Sequence, residues 1–286
     1  IATIILPPYL YDIRDAEIRL KDNRRFTMRD IGALELLDVL KKLEIQGKYE
    51  AAHRARQRCE AVFRYGIITG KCESNPAIDL KGALTPQKVE NHAYLNKKEL
   101  PIFLDKLCQY DGDRLTKLAL LFIVYTFVRT SELRFAVWDE IDLDADNSIW
   151  KIPAERMKMR RPHHVPLVSQ TIKILTELRG LRDNTNLVFP SEKNPLKAMS
   201  ENTLLYAIYR MGYHKRATVH GFRSTASTIL NETRKWHPDV IERQLAHVEG
   251  NKIRAAYNHA EYLDERREMM QWYADHLDEL KQKGAQ

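Results

Sequence analysis

HGFRSTASTILNETRKWHPDVIERQLAHVEGNKIRAAYNHA, residues 220–260, is the stretch on which the reading of this chain turns. Apolar positions at helical spacing predict a helix over residues 221–232, opened by His220 and Arg223, which lie one turn apart on a shared face. At a helix N-terminus such a pair also meets free backbone N–H groups, a ready anion site. The blander alternative is a cap with a surface salt bridge. A second, short helix is expected over residues 238–245, and Leu245-Ala246-His247 follows it. A lone His in that place is more often structural than catalytic. A Tyr in a helical stretch, such as Tyr257, is usually half-buried packing.

Upstream, the most apolar helix, expected over 114–128, runs into Arg129-Thr130-Ser131-Glu132. An arginine there either caps the helix carbonyls or is held rigidly to grip an anion. Two short strands, 148–152 and 164–167, flank the very basic stretch 156–161, with Lys158 at a hairpin tip. Such a tip is usually a solvated turn, but beside DNA it can present an ammonium to a phosphate or base edge. Lysine suits proton donation because its pKa falls on desolvation, whereas Arg160 and Arg161 hold their protons. Further helices are expected at 97–110, 170–179, 201–211 and 263–281.

Taken together, Arg129, Lys158, His220, Arg223, His247 and Tyr257 suit one reaction, the transfer of a phosphodiester to a protein hydroxyl. Charge gathers on the non-bridging oxygens in the transition state, and two guanidinium forks match those oxygens. The leaving sugar oxygen needs a proton, which a lysine can give. The phenol, with an ordinary pKa of about 10, needs nearby cations and imidazole to shed its own. Such a cation cluster can take the place of a metal, in keeping with the lack of Asp/Glu clusters at metal-binding spacing; no metal and no cofactor are expected.

Composition agrees. Lys and Arg number 46 against 39 Asp and Glu, and the resulting charge of +7 suits a polyanionic partner. Three scattered cysteines are too few for a disulfide framework and point to a reducing compartment. The longest apolar run, 118–128, falls short of the ~20 residues that span a bilayer. No signal-peptide pattern opens the sequence. These features predict a soluble intracellular protein facing nucleic acid, with no membrane partner.

The segments TFVRTSELR (126–134), PAERMKMRRPHHVPL (153–167), HGFRSTASTILNE (220–232) and QLAHVEGNKIRAAYNHAEYLDERREMMQWYADHLD (244–278) resemble the tyrosine recombinases of the phage-integrase family, in particular bacterial integrases of satellite prophages and genomic islands. The helical stretch AAHRARQRCEAVFRYGIITGKCESNPA (51–77) is similar to the same family's core-binding domain. The resemblance implies that Arg129 and Arg223 grip the phosphate, Lys158 is the general acid and Tyr257 the nucleophile. His220 and His247 would take the two histidine positions, with Glu132 as the acidic support of the first arginine. Phe127 and Ala246 stand where many relatives carry glycine. No stretch clearly matches the family's arm-binding N-terminal domain, so the expectation is a chain without it.

The expected organisation is an unassigned opening over 1–26, a helical core-DNA-binding domain over 27–80, a linker over 81–95 and a catalytic domain over 96–286. The expected fold class is mainly α with a small β-sheet. Arg54, Arg56 and Arg58 would form the DNA-facing side of the first domain, with Arg160 and Arg161 adding contacts from the second. By resemblance the two domains would clamp duplex DNA at attachment sites. The chain, a monomer when free, would form a homotetramer on DNA, with accessory DNA-bending or excision proteins as further partners. Its work would be to integrate or excise a mobile element in the nucleoid-bearing bacterial cytoplasm. The helix at 263–281 would dock on a neighbour or fold back on its own domain, the two weighed equally. Two rivals are a type IB topoisomerase, told apart by its products, and a DNA-binding repressor or architectural protein, which has no need of the tyrosine.

Overall fold

The first helical hairpin follows directly from its apolar stripes. In the computed structural model, which describes residues 3–4, 18–19, 25–86, 93–144, 147–181, 185–247 and 260–284, helix α1 (Ala33–Ile45) and helix α2 (Tyr49–Ile68) pack through Leu36, Leu40, Ala52, Cys59 and Phe63. Gly47, at φ +72°, makes the reversal between them in a backbone region that side-chain-bearing residues resist. Asn75 caps a one-turn helix α3 (Pro76–Asp79); its side chain accepts from the Ala77 N–H at 3.2 Å. Three two-residue strands, β1 (Thr3–Ile4), β2 (Ile18–Arg19) and β3 (Arg25–Phe26), form a small antiparallel sheet in the opening that sequence left unassigned.

The expected linker over 81–95 shrinks from both sides. Leu84 is buried in the first core, and the Thr85 N–H donates to the Glu44 carboxylate at 2.6 Å. Leu95 is buried in the second core. The chain divides into two compact units at residues 90 and 91.

The second unit is helical around one small sheet. Helix α4 (Glu99–Cys108) and helix α5 (Arg114–Thr126) precede a short helix α6 (Thr130–Arg134). Strands β4 (Ile141–Asp142), β5 (Ile149–Ile152) and β6 (His163–Pro166) pair antiparallel in that order, with Trp150 opposite Val165 and fully buried. The two residues of β4 are too few for any period to show in the sequence. Helices α7 (Ser169–Leu181), α8 (Thr203–Ile208, continued by a π-helical turn Tyr209–Tyr213), α9 (Gly221–Thr233), α10 (Pro238–Gln244) and α11 (Leu263–Gly284) complete it. The fold is therefore mainly α with a small sheet, as the sequence predicts. Helix α11 packs back on its own domain: Met269, Met270, Tyr273, Ala274 and Leu277 are buried, and the Tyr125 hydroxyl on α5 donates to Asp278 at 2.6 Å. Among the described residues no helix is long and apolar enough to cross a membrane.

Both positions singled out as departures from glycine have left-handed backbone, Phe127 at φ +42° and Ala246 at φ +49°. The same strain has opposite consequences at the two. Phe127 is fully buried, its ring edge-on to Tyr273 at 5.4 Å, so Phe127→Gly is expected to destabilise by ~3 kcal/mol or more despite relieving strain. Ala246 has only a methyl group to lose, so Ala246→Gly is expected to stabilise by ~0.5 kcal/mol, a melting temperature about one or two degrees higher by calorimetry.

Candidate active site

Helix α5 ends at Phe127, whose N–H returns to the Ile123 carbonyl at 2.8 Å. The sequence alternatives for Arg129 were a cap on that helix or an anion grip, and the first is corrected by the structure: Arg129 is the N-cap residue of α6. Its backbone N–H donates to Glu132 Oε2 at 2.7 Å, and its Nη1 to Glu132 Oε1 at 2.8 Å. Glu132 is nearly fully buried, so its carboxylate cannot wander, and it holds Arg129 by its backbone N–H and by one guanidinium nitrogen. The other fork nitrogen of Arg129 donates to the Ala246 carbonyl at 3.2 Å.

Arg223 sits on the first turn of α9. Gly221, just before it, has no room for a side chain: a Cβ there would lie 2.2 Å from the Ala93 carbonyl oxygen, because residues 93–95 cross the start of this helix. The buried Arg223 guanidinium donates to the Phe127 carbonyl at 2.7 Å and to the Leu245 carbonyl at 2.5 Å. Burial first, and then the nearby Arg129 charge, lower its pKa to about 10. It remains cationic at neutral pH, and although Glu132 pairs with Arg129, an anion between the two forks would offset the remaining repulsion.

His247 follows α10. Its Nδ1 lies 2.7 Å from Glu242 Oε2 and its Nε2 lies 3.3 Å from Arg223 Nη2. A carboxylate only accepts and a guanidinium only donates, so the neutral ring carries its proton on Nδ1 and turns an Nε2 lone pair toward Arg223. Arg129, Glu132, Arg223 and His247, far apart in sequence, thus meet around the turn at residues 245–247.

His220 is the exposed N-cap residue of α9, one turn before Arg223. Lys158 is exposed in the turn joining β5 to β6, and Arg160 (φ +50°) and Arg161 are exposed beside it. Tyr257 lies outside the described residues. In the first unit Arg54 and Arg58 are exposed on α2, but Arg56 is not on that surface. It is buried, bonded to Glu60 and to the Ala77 carbonyl, each at 2.9 Å, so it joins α2 to α3 instead of facing a ligand. A helix of 3.6 residues per turn rotates Arg56 about 200° from Arg54, which the run of arginines in sequence conceals.

One residue of the site went unnoticed in the sequence. His163, the inward residue of β6, is buried. Burial holds its pKa well below the ordinary histidine value, and the charges of Arg266, Arg243, Arg223 and Arg129 push the same way. It is a neutral imidazole at neutral pH. Its only sequence signal was the alternation of β6, which turns His163 inward and leaves His164 half exposed.

Comparison with known proteins identifies relatives of this chain. The family model described as "Phage integrase family" matches residues 93–263, and "Phage integrase central domain" matches residues 21–83. The integrase of Enterobacteria phage P4 is 42% identical over 266 residues, covering 88% of this chain and 60% of that relative's length. Among solved structures, a lambda integrase (75–356) dimer bound to a COC′ core site aligns with a TM-score of 0.62 at 17% identity, covering 83% of each chain. A lambda integrase tetramer bound to a Holliday junction aligns with a TM-score of 0.60 at 17% identity, over 80% of this chain and 67% of that one. At such identities the two structures speak for the fold, whereas the family matches and the P4 relative speak for descent. The chain belongs to the phage integrase family.

Proposed function

We propose that the protein is a site-specific tyrosine recombinase that cuts and rejoins DNA strands to integrate or excise a mobile element. The observation that carries this reading is the pair of guanidinium groups, Arg129 and Arg223, fixed around one turn with the His247 imidazole against the second. Two rigid forks and an imidazole suit a five-coordinate phosphorus, whose equatorial oxygens gain charge as the nucleophile enters. The Tyr257 oxygen attacks the scissile phosphorus while its proton passes to an imidazole, with His220 and His247 as the candidates. The P–O5′ bond breaks, the leaving oxygen takes a proton from Lys158, and a 3′-phosphotyrosyl ester remains. That ester conserves the bond energy, so a 5′-hydroxyl of a partner duplex reverses the step without a nucleotide cofactor. The direct test is a nicked suicide duplex, which traps the ester; peptide mass spectrometry should find the DNA on Tyr257.

In this reading residues 27–80 form the core-binding domain and residues 96–286 the catalytic domain, joined by a short linker. The chain acts on double-stranded attachment sites as a homotetramer, a state supported by the tetrameric lambda integrase neighbour. Accessory DNA-bending or excision proteins complete the assembly, in the cytoplasm where the bacterial nucleoid lies. Lys158, Arg160 and Arg161 reach the DNA from the hairpin, and Arg54 and Arg58 from α2.

The exposed arginines carry a separate expectation. Arg54→Ala with Arg58→Ala should weaken DNA binding and lower the slope of log affinity against log salt by about 2, one phosphate contact each. Arg56→Ala should leave that slope alone and instead cost ~1–3 kcal/mol of stability, because it strips a buried carbonyl of its donor. Filter binding over a salt series and a thermal melt separate the two effects.

A further inference from the structure

Glu261 ties together three parts of the chain that the sequence keeps far apart. Its Oε2 lies 2.6 Å from His164 Nδ1 on β6, and its Oε1 accepts from Arg243 Nη2 on α10 at 3.2 Å. Its backbone carbonyl accepts from Arg266 Nη1 at 3.3 Å, near the start of α11. Burial alone would raise the Glu261 pKa, but the hydrogen bond and charge of His164, followed by those of Arg243, outweigh it and hold the carboxyl below the ordinary glutamate value. The carboxylate is therefore ionised at neutral pH, and as an acceptor it fixes the His164 proton on Nδ1.

The location of this knot gives it a consequence. Strand β6 is the arm of the hairpin that leads back from Lys158, α10 leads into His247, and Tyr257 lies four residues before Glu261 in the chain. We propose that Glu261 is a positioning residue: by tying His164 on β6 to Arg243 on α10, it sets the hairpin that carries Lys158 in register with the turn that carries His247. The proposal rests on the recombinase reading above.

Docking of α11 does not need this side chain. Arg266, fully buried, already bonds Gln244 Oε1 through Nε at 3.0 Å and through Nη2 at 2.6 Å, and it also donates to the His164 carbonyl. Removing the Glu261 carboxylate therefore leaves α11 anchored to α10 and β6, and it unties only the His164 and Arg243 side chains from each other. An error of about 1 Å in a reacting group is enough to slow a reaction by ~10²-fold.

The test measures single-turnover adduct formation on a nicked suicide duplex at saturating DNA, with DNA affinity and melting temperature measured in parallel. Glu261→Ala and His164→Ala are expected to form adduct at least ~10-fold more slowly, with DNA affinity unchanged. His164→Gln, whose amide can donate to the same carboxylate oxygen, should recover most of the rate. A merely structural role would lower the melting temperature and offer no such split between rate and affinity. If Glu261→Ala does not fold, the His164 variants, altered at a half-exposed ring, decide the matter. Wild-type rates in the folded variants overturn the positioning role and leave the recombinase reading intact. A wild-type chain that forms no adduct overturns the recombinase reading and the positioning role with it.

Discussion

Tyr257→Phe is expected to abolish covalent capture of DNA, with adduct formation on a suicide duplex falling by on the order of 10⁴ or more. The phenyl ring keeps the shape and apolar area of the side chain but has no oxygen to bond to phosphorus. DNA binding, carried by cationic side chains elsewhere, should be nearly unchanged, so a gel-shift titration run beside the adduct assay separates loss of chemistry from loss of binding. Persistence of the adduct in this variant, or its mapping in the wild type to another residue such as Tyr262, would remove the nucleophile from the proposal. The same assay speaks to the rivals. A repressor or architectural protein forms no adduct in any variant. A type IB topoisomerase forms one but yields relaxed circles and no recombined duplexes.

The second large effect belongs to the arginine pair. Arg223→Ala and Arg129→Ala should each slow cleavage by ~10²–10³, the usual consequence of removing one donor aimed at transition-state charge. They should differ in stability. Arg223 is buried and satisfies the Phe127 and Leu245 carbonyls, so its loss leaves buried acceptors bare, at a cost of ~1–3 kcal/mol. Arg129 is one-fifth exposed and shares its work with Glu132, so its removal should cost less. Arg223→Lys is the sharper probe. An ammonium keeps the charge but cannot span two carbonyls and a phosphate oxygen with a planar fork, so affinity should survive while the rate does not. A lysine variant cleaving at the wild-type rate would show that charge alone, and not the fork, is what the site uses.

Much of this fold was readable because long, strongly periodic segments announce themselves. Helices α5, α9 and α11 each carry an apolar stripe longer than two turns, and their expected limits fall within a few residues of the observed ones. The elements that escaped are short: α3, α6 and β4 span four, five and two residues, too few for a period to emerge from composition. The break after α5 was hidden for another reason. Phe127 occupies a left-handed position that glycine usually marks, so nothing in the residue types separates α5 from α6.

The candidate site divides along a similar line. Its chemistry was legible as residue types in order: two arginines, a lysine, two histidines and a tyrosine, whose joint use is phosphodiester transfer. What each group touches was not legible. Arg56 reads like Arg54 and Arg58 but points inward to the Ala77 carbonyl, and His163 and His164 are adjacent, yet one is buried and the other holds Glu261. Sequence by itself determined the helical class of this chain, its family and the set of groups that could carry the reaction, because periodicity and residue chemistry are local properties. Only the tertiary structure decided that Arg129 reaches the Ala246 carbonyl, that Arg223 clasps two carbonyls, and that Glu261 joins β6 to α10. Those contacts link residues up to about a hundred positions apart, and burial in a shared core, which no local window contains, is what brings them within hydrogen-bond reach.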